Sequence, residues 1–236
     1  MNSCDITLAG QSLRALGSGA LHWPEKALLV VSDLHLGKAE RLARRGGAIL
    51  PPYETRDTLL RLEADIRATD PARIICLGDS LDDDAARAGI GPAEIETIDA
   101  MQCGRDWIWI TGNHDPAPRD LGGRVAEEAV LGPLGFRHIA GDRVPEISGH
   151  YHPKARLALG GRVVSRRCFL HDANRIIMPA YGTYTGGLDW TASPLADLMH
   201  LGACAVLTGQ RPCKVPVPRP APPSTTARRA TRRHAV

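Results

Sequence analysis

Ala27-Leu28-Leu29-Val30-Val31-Ser32-Asp33-Leu34-His35 sets a short, wholly apolar run directly against a polar cluster. Five apolar residues in a row suit a strand buried on both faces, the strand type of α/β folds. The same unit recurs downstream. Arg73-Ile74-Ile75-Cys76-Leu77 runs into Gly78-Asp79, and Trp107-Ile108-Trp109-Ile110 runs into Thr111-Gly112-Asn113-His114-Asp115. Helical patterns lie between these units. Glu54–Thr69 places Leu59, Leu62 and Ile66 at i, i+3 and i+7, with Arg61 and Asp65 roughly opposite, and prolines at 51, 52 and 71 bound the segment. Pro92–Gln102 repeats Ile95, Ile98 and Met101 at three-residue steps and predicts a second helix.

After Gly135 the pattern changes to short β-rich runs separated by Gly160-Gly161 and by His171-Asp172-Ala173-Asn174, both hairpin signals. The runs are Val144–Ser148, Ala155–Leu159, Arg162–Ser165 with Cys168–Leu170, and Arg175–Met178. An α/β first half joined to a β-meander is most simply combined as two sheets face to face with helices outside. Residues 211–236 hold six prolines and no apolar periodicity, which predicts a disordered basic tail behind a folded body of residues 1–210.

Composition narrows the classes. At 236 residues, with 43% apolar and 23% charged side chains, the chain suits one large or two small globular domains and excludes wholesale disorder. Aromatics are only 4%, so the core is expected to be Leu, Ile, Val and Ala. No apolar stretch approaches the ~18 residues of a membrane span, and no basic segment precedes an apolar core as in a signal peptide. The net charge of +3 is uneven: seven basic and no acidic residues follow position 210, and removing them leaves −4 for residues 1–210. Basicity of the body is therefore no argument for nucleic acid. Six cysteines, at 4, 76, 103, 168, 204 and 213, form no C-x-x-C pair, so the expectation is a reducing cytoplasm without a zinc ribbon.

Asp33 and His35, Asp79, Asn113 and His114, and then His150 and His152, all follow β-like runs. Active groups of open α/β sheets collect at the carboxyl ends of strands, and residues i and i+2 of an extended segment point the same way. Asp33 with His35 and His150 with His152 can thus aim two ligands each into one pocket. A mixed oxygen and nitrogen set suits Mn²⁺, Fe or Zn²⁺ better than Ca²⁺ or Mg²⁺.

The ordered set D-x-H (Asp33, His35), G-D-x-x-D (Gly78, Asp79, Asp82), G-N-H-D (Gly112 to Asp115) and G-H-x-H (Gly149 to His152) resembles the calcineurin-like metallophosphoesterase superfamily. The stretches Trp109–Pro116, Gly149–Pro153, Cys168-Phe169 and Met178–Leu188 extend the similarity to the ligase-associated DNA damage response phosphoesterases of the PdeM type, over roughly residues 5–210. The resemblance implies a four-layer αββα sandwich of two mixed β-sheets flanked by helices. It implies a first metal on Asp33, His35 and His152, a second on Asn113 and His150, and Asp79 bridging them. It also implies one more histidine on the second metal, for which His138 is the candidate. His114 matches the residue that protonates the leaving group, and Asp115 would orient its ring. Two such metals, Mn²⁺ foremost, share a water, lower its pKa and clamp the phosphate. One departure stands out: Leu81-Asp82-Asp83-Asp84 is denser in carboxylates than this subfamily's pattern.

Several polar residues carry less. His22 reads as structural or surface, His171 as a solvated turn residue, His200 as a packing histidine and His234 as part of the tail. Arg41, Arg44 and Arg45 follow D-x-H directly and read either as a solvated helical face or as contacts to a phosphate backbone. The expectation is a dinuclear-metal hydrolase, a phosphodiesterase or endonuclease acting on DNA beside a ligase, an exonuclease and a helicase, with no membrane partner. The alternatives are a phosphodiesterase or monoesterase for small phosphoesters, and a non-catalytic scaffold. The retained ligand pattern counts against the scaffold.

Overall fold

The computed structural model describes residues 2–47, 50–51, 53–83, 86–113, 118 and 121–218. The first sheet has seven strands in sequence order: β1 (Ser3–Leu8), β2 (Gln11–Leu16), β3 (Leu21–Trp23), β4 (Leu28–Ser32), β5 (Arg73–Leu77), β6 (Asp106–Ile110) and β7 (Arg124–Ala126). It is antiparallel from β1 to β4 and parallel from β4 to β7. The second sheet contains β8 (Glu128–Leu131), β9 (Leu134–Arg137), β10 (Glu146–Ser148), β11 (Lys154–Leu159), β12 (Arg162–His171), β13 (Arg175–Ile177), β14 (Cys204–Leu207) and β15 (Cys213–Pro216). Its order is β15-β14-β12-β13-β10-β9-β8, with β11 paired to β12. Because β9, β10 and β13 run parallel, this half is a mixed sheet and not the simple meander that its turn signals predict.

Helices α1 (Lys38–Arg44), α2 (Glu54–Thr69), α3 (Ala86–Gly89) and α4 (Pro92–Gln102) lie between the parallel strands, and α5 (Leu195–Leu198) precedes β14. The α2 and α4 bounds coincide with those the apolar spacing predicts, since prolines and a left-handed Asp70 punctuate them. Strand β4 shows why a continuous apolar run was needed. Leu28 and Val30 face the core between the sheets, while Leu29 and Val31 face the core under α2 and α4. The inter-sheet core draws Ile75, Leu77 and Ile108 from one sheet and Phe136, Phe169 and Ile176 from the other. A third cluster, Cys168, Leu170 and Ile177 against Trp190 and Leu195, covers the outer face of the second sheet. The two mixed sheets and flanking helices are those of the calcineurin-like sandwich, although α5 makes a thin fourth layer.

Three local expectations change. Arg162–Ser165 and Cys168–Leu170 are one ten-residue strand, β12. His171 ends that strand and is buried, where burial presses its pKa down to about 4, while His200 is exposed and engages through its backbone, its N–H donating to Asp172 Oδ2 and its carbonyl accepting from Ala203 N. Cys213–Pro216, within the stretch whose prolines predict a tail, pairs in register with β14, so the ordered body reaches past residue 210. The rest of that stretch, residues 219–236, lies outside the described residues. Among the described residues no helix is long and apolar enough to cross a membrane.

Candidate metal centre

The loops that follow β4 and β5 are stitched to each other by backbone hydrogen bonds. His35 N donates to Asp79 O at 2.9 Å, Leu36 N to Ser80 O at 2.9 Å and Asp82 N to Leu36 O at 3.0 Å. From the second sheet, Gly149 N donates to His138 O at 2.9 Å, fixing the loop after β10 against the end of β9. These loops bring together two groups whose ligand atoms lie within 4.8 Å of one another: Asp33, His35 and His152, and Asp79, His138 and His150. Asp79 Oδ2 is 4.0 Å from His35 Nε2 and 3.4 Å from His138 Nε2, so it stands between the two groups.

Backbone strain marks the same positions. Asp33, His35, Asp79, His150 and His152 all adopt positive φ, between 45° and 70°. Left-handed geometry costs a non-glycine residue on the order of 1 kcal/mol or more, and such strain concentrates where side chains must be aimed. Glycines allow the close approaches. A Cβ at Gly78, itself at φ 69°, would run into the His138 ring, and one at Gly112 would run into Asp79.

The donor set fits a pair of cations. Asp33 Oδ1 is buried and receives no well-aligned hydrogen bond, although His152 Nε2 lies 3.1 Å away. His138 Nδ1 is 3.0 Å from the Leu77 carbonyl, to which it must donate. Its Nε2 then faces Asn113 Oδ1 at 2.9 Å, Asp79 Oδ2 at 3.4 Å and His150 Nδ1 at 3.2 Å. Such a convergence is repulsive unless a proton or a cation lies among these atoms. Burial opposes charge on His138, yet Asp79 and Asp33 raise its pKa, whereas burial and the charge on His138 lower that of His150. Nitrogen ligands held at about 2.0–2.1 Å around a tetrahedral ion sit about 3.3 Å apart. The His35 Nε2 to His152 Nε2 separation is 3.4 Å and that from His138 Nε2 to His150 Nδ1 is 3.2 Å.

The carboxylate that the local Asp run left without a role is Asp82. Its side chain is 0% exposed, and Oδ1 is 2.8 Å from His35 Nδ1. Lys38 Nζ meets the same oxygen at 3.5 Å, and Arg41 Nε holds Oδ2. Burial pushes the Asp82 pKa up, but His35, Lys38 and Arg41 overrule it and bring it to about 2. Its place in G-D-x-x-D was the available signal. Arg41 is thereby engaged with Asp82, and Arg44 and Arg45 reach Asp83 at 2.9 and 3.8 Å. His114 and Asp115 lie outside the described residues. Beside the second group a cleft of about 330 Å³ opens, lined by Asn113, Glu127, Glu128, Arg137 and His138 among others.

Comparison with known proteins gives the class. Residues 27–200 match the calcineurin-like phosphoesterase family, and the chain belongs to that family. It is a metal-dependent phosphoester hydrolase. No curated protein matches it significantly. Among solved structures it is similar to the crystal structure of Pseudomonas putida nuclease MPE, with 28% identity and a TM-score of 0.69 over 92% of this chain and 100% of that one.

Proposed function

We propose that this protein is a two-metal phosphodiesterase that cleaves DNA, an endonuclease of ligase-associated repair. The observation that carries the reading is the pairing of Asp33, His35 and His152 with Asp79, His138 and His150, with the Asp79 carboxylate between them. The nuclease similarity supports a polynucleotide over a small phosphoester. In this reading His35, His152 and Asp33 hold one ion, His138, His150 and Asn113 hold the other, and Asp79 serves both. Two divalent ions so held, Mn²⁺ first, would lower the pKa of a shared water and draw charge from the phosphate oxygens.

The chain's own groups divide the remaining work. Asp82 holds the proton of His35 on Nδ1 by facing it with a carboxylate oxygen, and so leaves the Nε2 lone pair to face the metal position. Leu77 O does the same for His138. His114, placed by G-N-H-D at the strand end, protonates the leaving oxygen, oriented by Asp115. Six free cysteines suit a reducing compartment, and our reading is a cytoplasmic enzyme working with a DNA ligase, an exonuclease and a helicase.

The test is hydrolysis by the purified protein, with Mn²⁺ and with EDTA, of single-stranded, nicked and flapped DNA beside bis(p-nitrophenyl) phosphate. Metal-dependent cleavage of DNA is expected. Hydrolysis of the small diester alone would reassign the enzyme to small phosphoesters, and full activity in EDTA would overturn the metal reading.

A further inference from the structure

The β11–β12 hairpin sets Lys154 directly opposite Arg167 in antiparallel register. Like charges in that relation repel, and both residues are half-buried. Arg61 of α2 adds a third cation: its Nη2 and Arg167 Nη1 donate to one carbonyl, Tyr181 O, at 2.9 and 3.3 Å. Burial and then the charge on Arg61 lower the Arg167 pKa. These three, with Arg166, line a cavity of about 440 Å³ whose lining includes no carboxylate. Asp57 comes within 3.9 Å of Arg61, but its own side chain is largely exposed. Arg61 and Arg167 are anchored on the Tyr181 carbonyl, and Arg61 also lies over the Tyr181 ring at 4.8 Å, but no carboxylate lines the cavity beside Lys154 and Arg166, and so one-sided a set of cations points to an anionic ligand.

The cavity adjoins the metal centre through one segment. Tyr181 N donates to Ser32 O at 2.7 Å and Gly182 N to Asp33 O at 3.0 Å, so the stretch that receives the two arginines is also pinned to the loop carrying Asp33. Lys154 follows His152 by two residues, and its Nζ donates to Thr185 O at 3.2 Å. We propose that this cavity binds a non-scissile phosphate of the nucleic-acid strand whose neighbouring phosphodiester is held at the metal centre. Guanidinium and ammonium donors are the usual partners of such a phosphate, positioning the strand without reading its sequence. The proposal rests on the nucleic-acid function proposed for the metal centre and deepens it.

The test is the binding of a short labelled single-stranded DNA in EDTA over a salt series, for the full chain and for Arg166→Glu, Lys154→Gln and Arg162→Glu. Arg162 lies on the same hairpin but outside the cavity, so it controls for bulk charge. Each cavity variant should flatten the slope of log K against log salt by about 0.7 for each phosphate it no longer neutralises, which is about fivefold weaker binding at 0.1 M salt. Arg162→Glu should change neither. Unchanged binding in both cavity variants, or equal weakening by Arg162→Glu, overturns the proposal. So does inorganic phosphate that saturates the cavity while the variants keep full DNA affinity, since free phosphate is then the occupant. Hydrolysis of bis(p-nitrophenyl) phosphate by the parent protein reports on the metal centre separately, so the two failures are distinguishable.

Discussion

His35 Nδ1 lies 2.8 Å from Oδ1 of Asp82, a carboxylate wholly enclosed by the protein. This close contact with a carboxylate keeps the proton on Nδ1 and leaves Nε2 as the nitrogen facing His152 and Asp79. Asp82→Asn, similar in shape but uncharged, should weaken binding at the first metal position by about 10- to 100-fold, read by metal titration. Acid should act through the same pair. The Asp82 pKa of about 2 lies below the unfolded value of about 3.9, so its stabilising contribution is complete above the unfolded pKa and lost as pH falls through about 2. An Asp82→Asn protein with unchanged metal affinity would remove the carboxylate from this role.

Gly78→Ala tests the crowding around His138. The added methyl meets the imidazole ring, and φ of 69° strains any residue but glycine. The expected result is a protein that holds one metal ion per chain in place of two, by elemental analysis after dialysis. Two ions bound as tightly as in the parent would show that His138 is not needed for the second.

His114→Ala separates chemistry from binding. Its proposed task concerns the leaving oxygen, so both metals should stay while turnover drops by about 10²–10⁴-fold. Metal loss in parallel with activity would make His114 a ligand.

The C-terminal region gives two truncations with different outcomes. Ending the chain after residue 218 removes five of the seven tail cations and keeps β15 on β14. DNA binding should then become less salt-dependent, by about 0.7–0.9 in slope for each phosphate that a removed cation had neutralised, with the melting temperature unchanged. Ending it after residue 210 strips β15 and bares the edge of β14, so this form should melt earlier and aggregate, by thermal scan and light scattering. Identical melting of the two truncations would make β15 dispensable.

Strands with continuous apolar runs were legible because both faces of β4, β5 and β6 are buried. The β1–β2 hairpin was not. Its turn is Ala9-Gly10, both at positive φ, and alanine there lacks the Asn-Gly or Gly-Gly signature that announces such a turn. The edge strands β7 and β8 are only three and four residues long and only partly buried, leaving too short an apolar run to read as a strand. At the centre, motif order pointed to the seven proposed ligands, six of which converge as two groups while Asn113 Oδ1 sits 2.9 Å from His138. Asp82 stayed hidden because a loop has no period from which an inward direction can be read. Lys154 and Arg167 meet through hairpin register, but Arg61 joins them only in the fold, through the Tyr181 carbonyl that it shares with Arg167.

Each ligand group draws on both sheets. Asp33 and His35 follow β4 while His152 follows β10, and Asp79 follows β5 while His138 and His150 follow β9 and β10. An ion bound to either group is thus a rivet across the two halves of the sandwich. Binding energy spent there adds to the cohesion of the inter-sheet core, as it does for any ligand that the unfolded chain cannot hold. The chelated protein should consequently shed hydrogen-exchange protection first along the carboxyl ends of β4, β5, β9 and β10, with the Leu28 and Trp23 end of the sandwich the last to loosen.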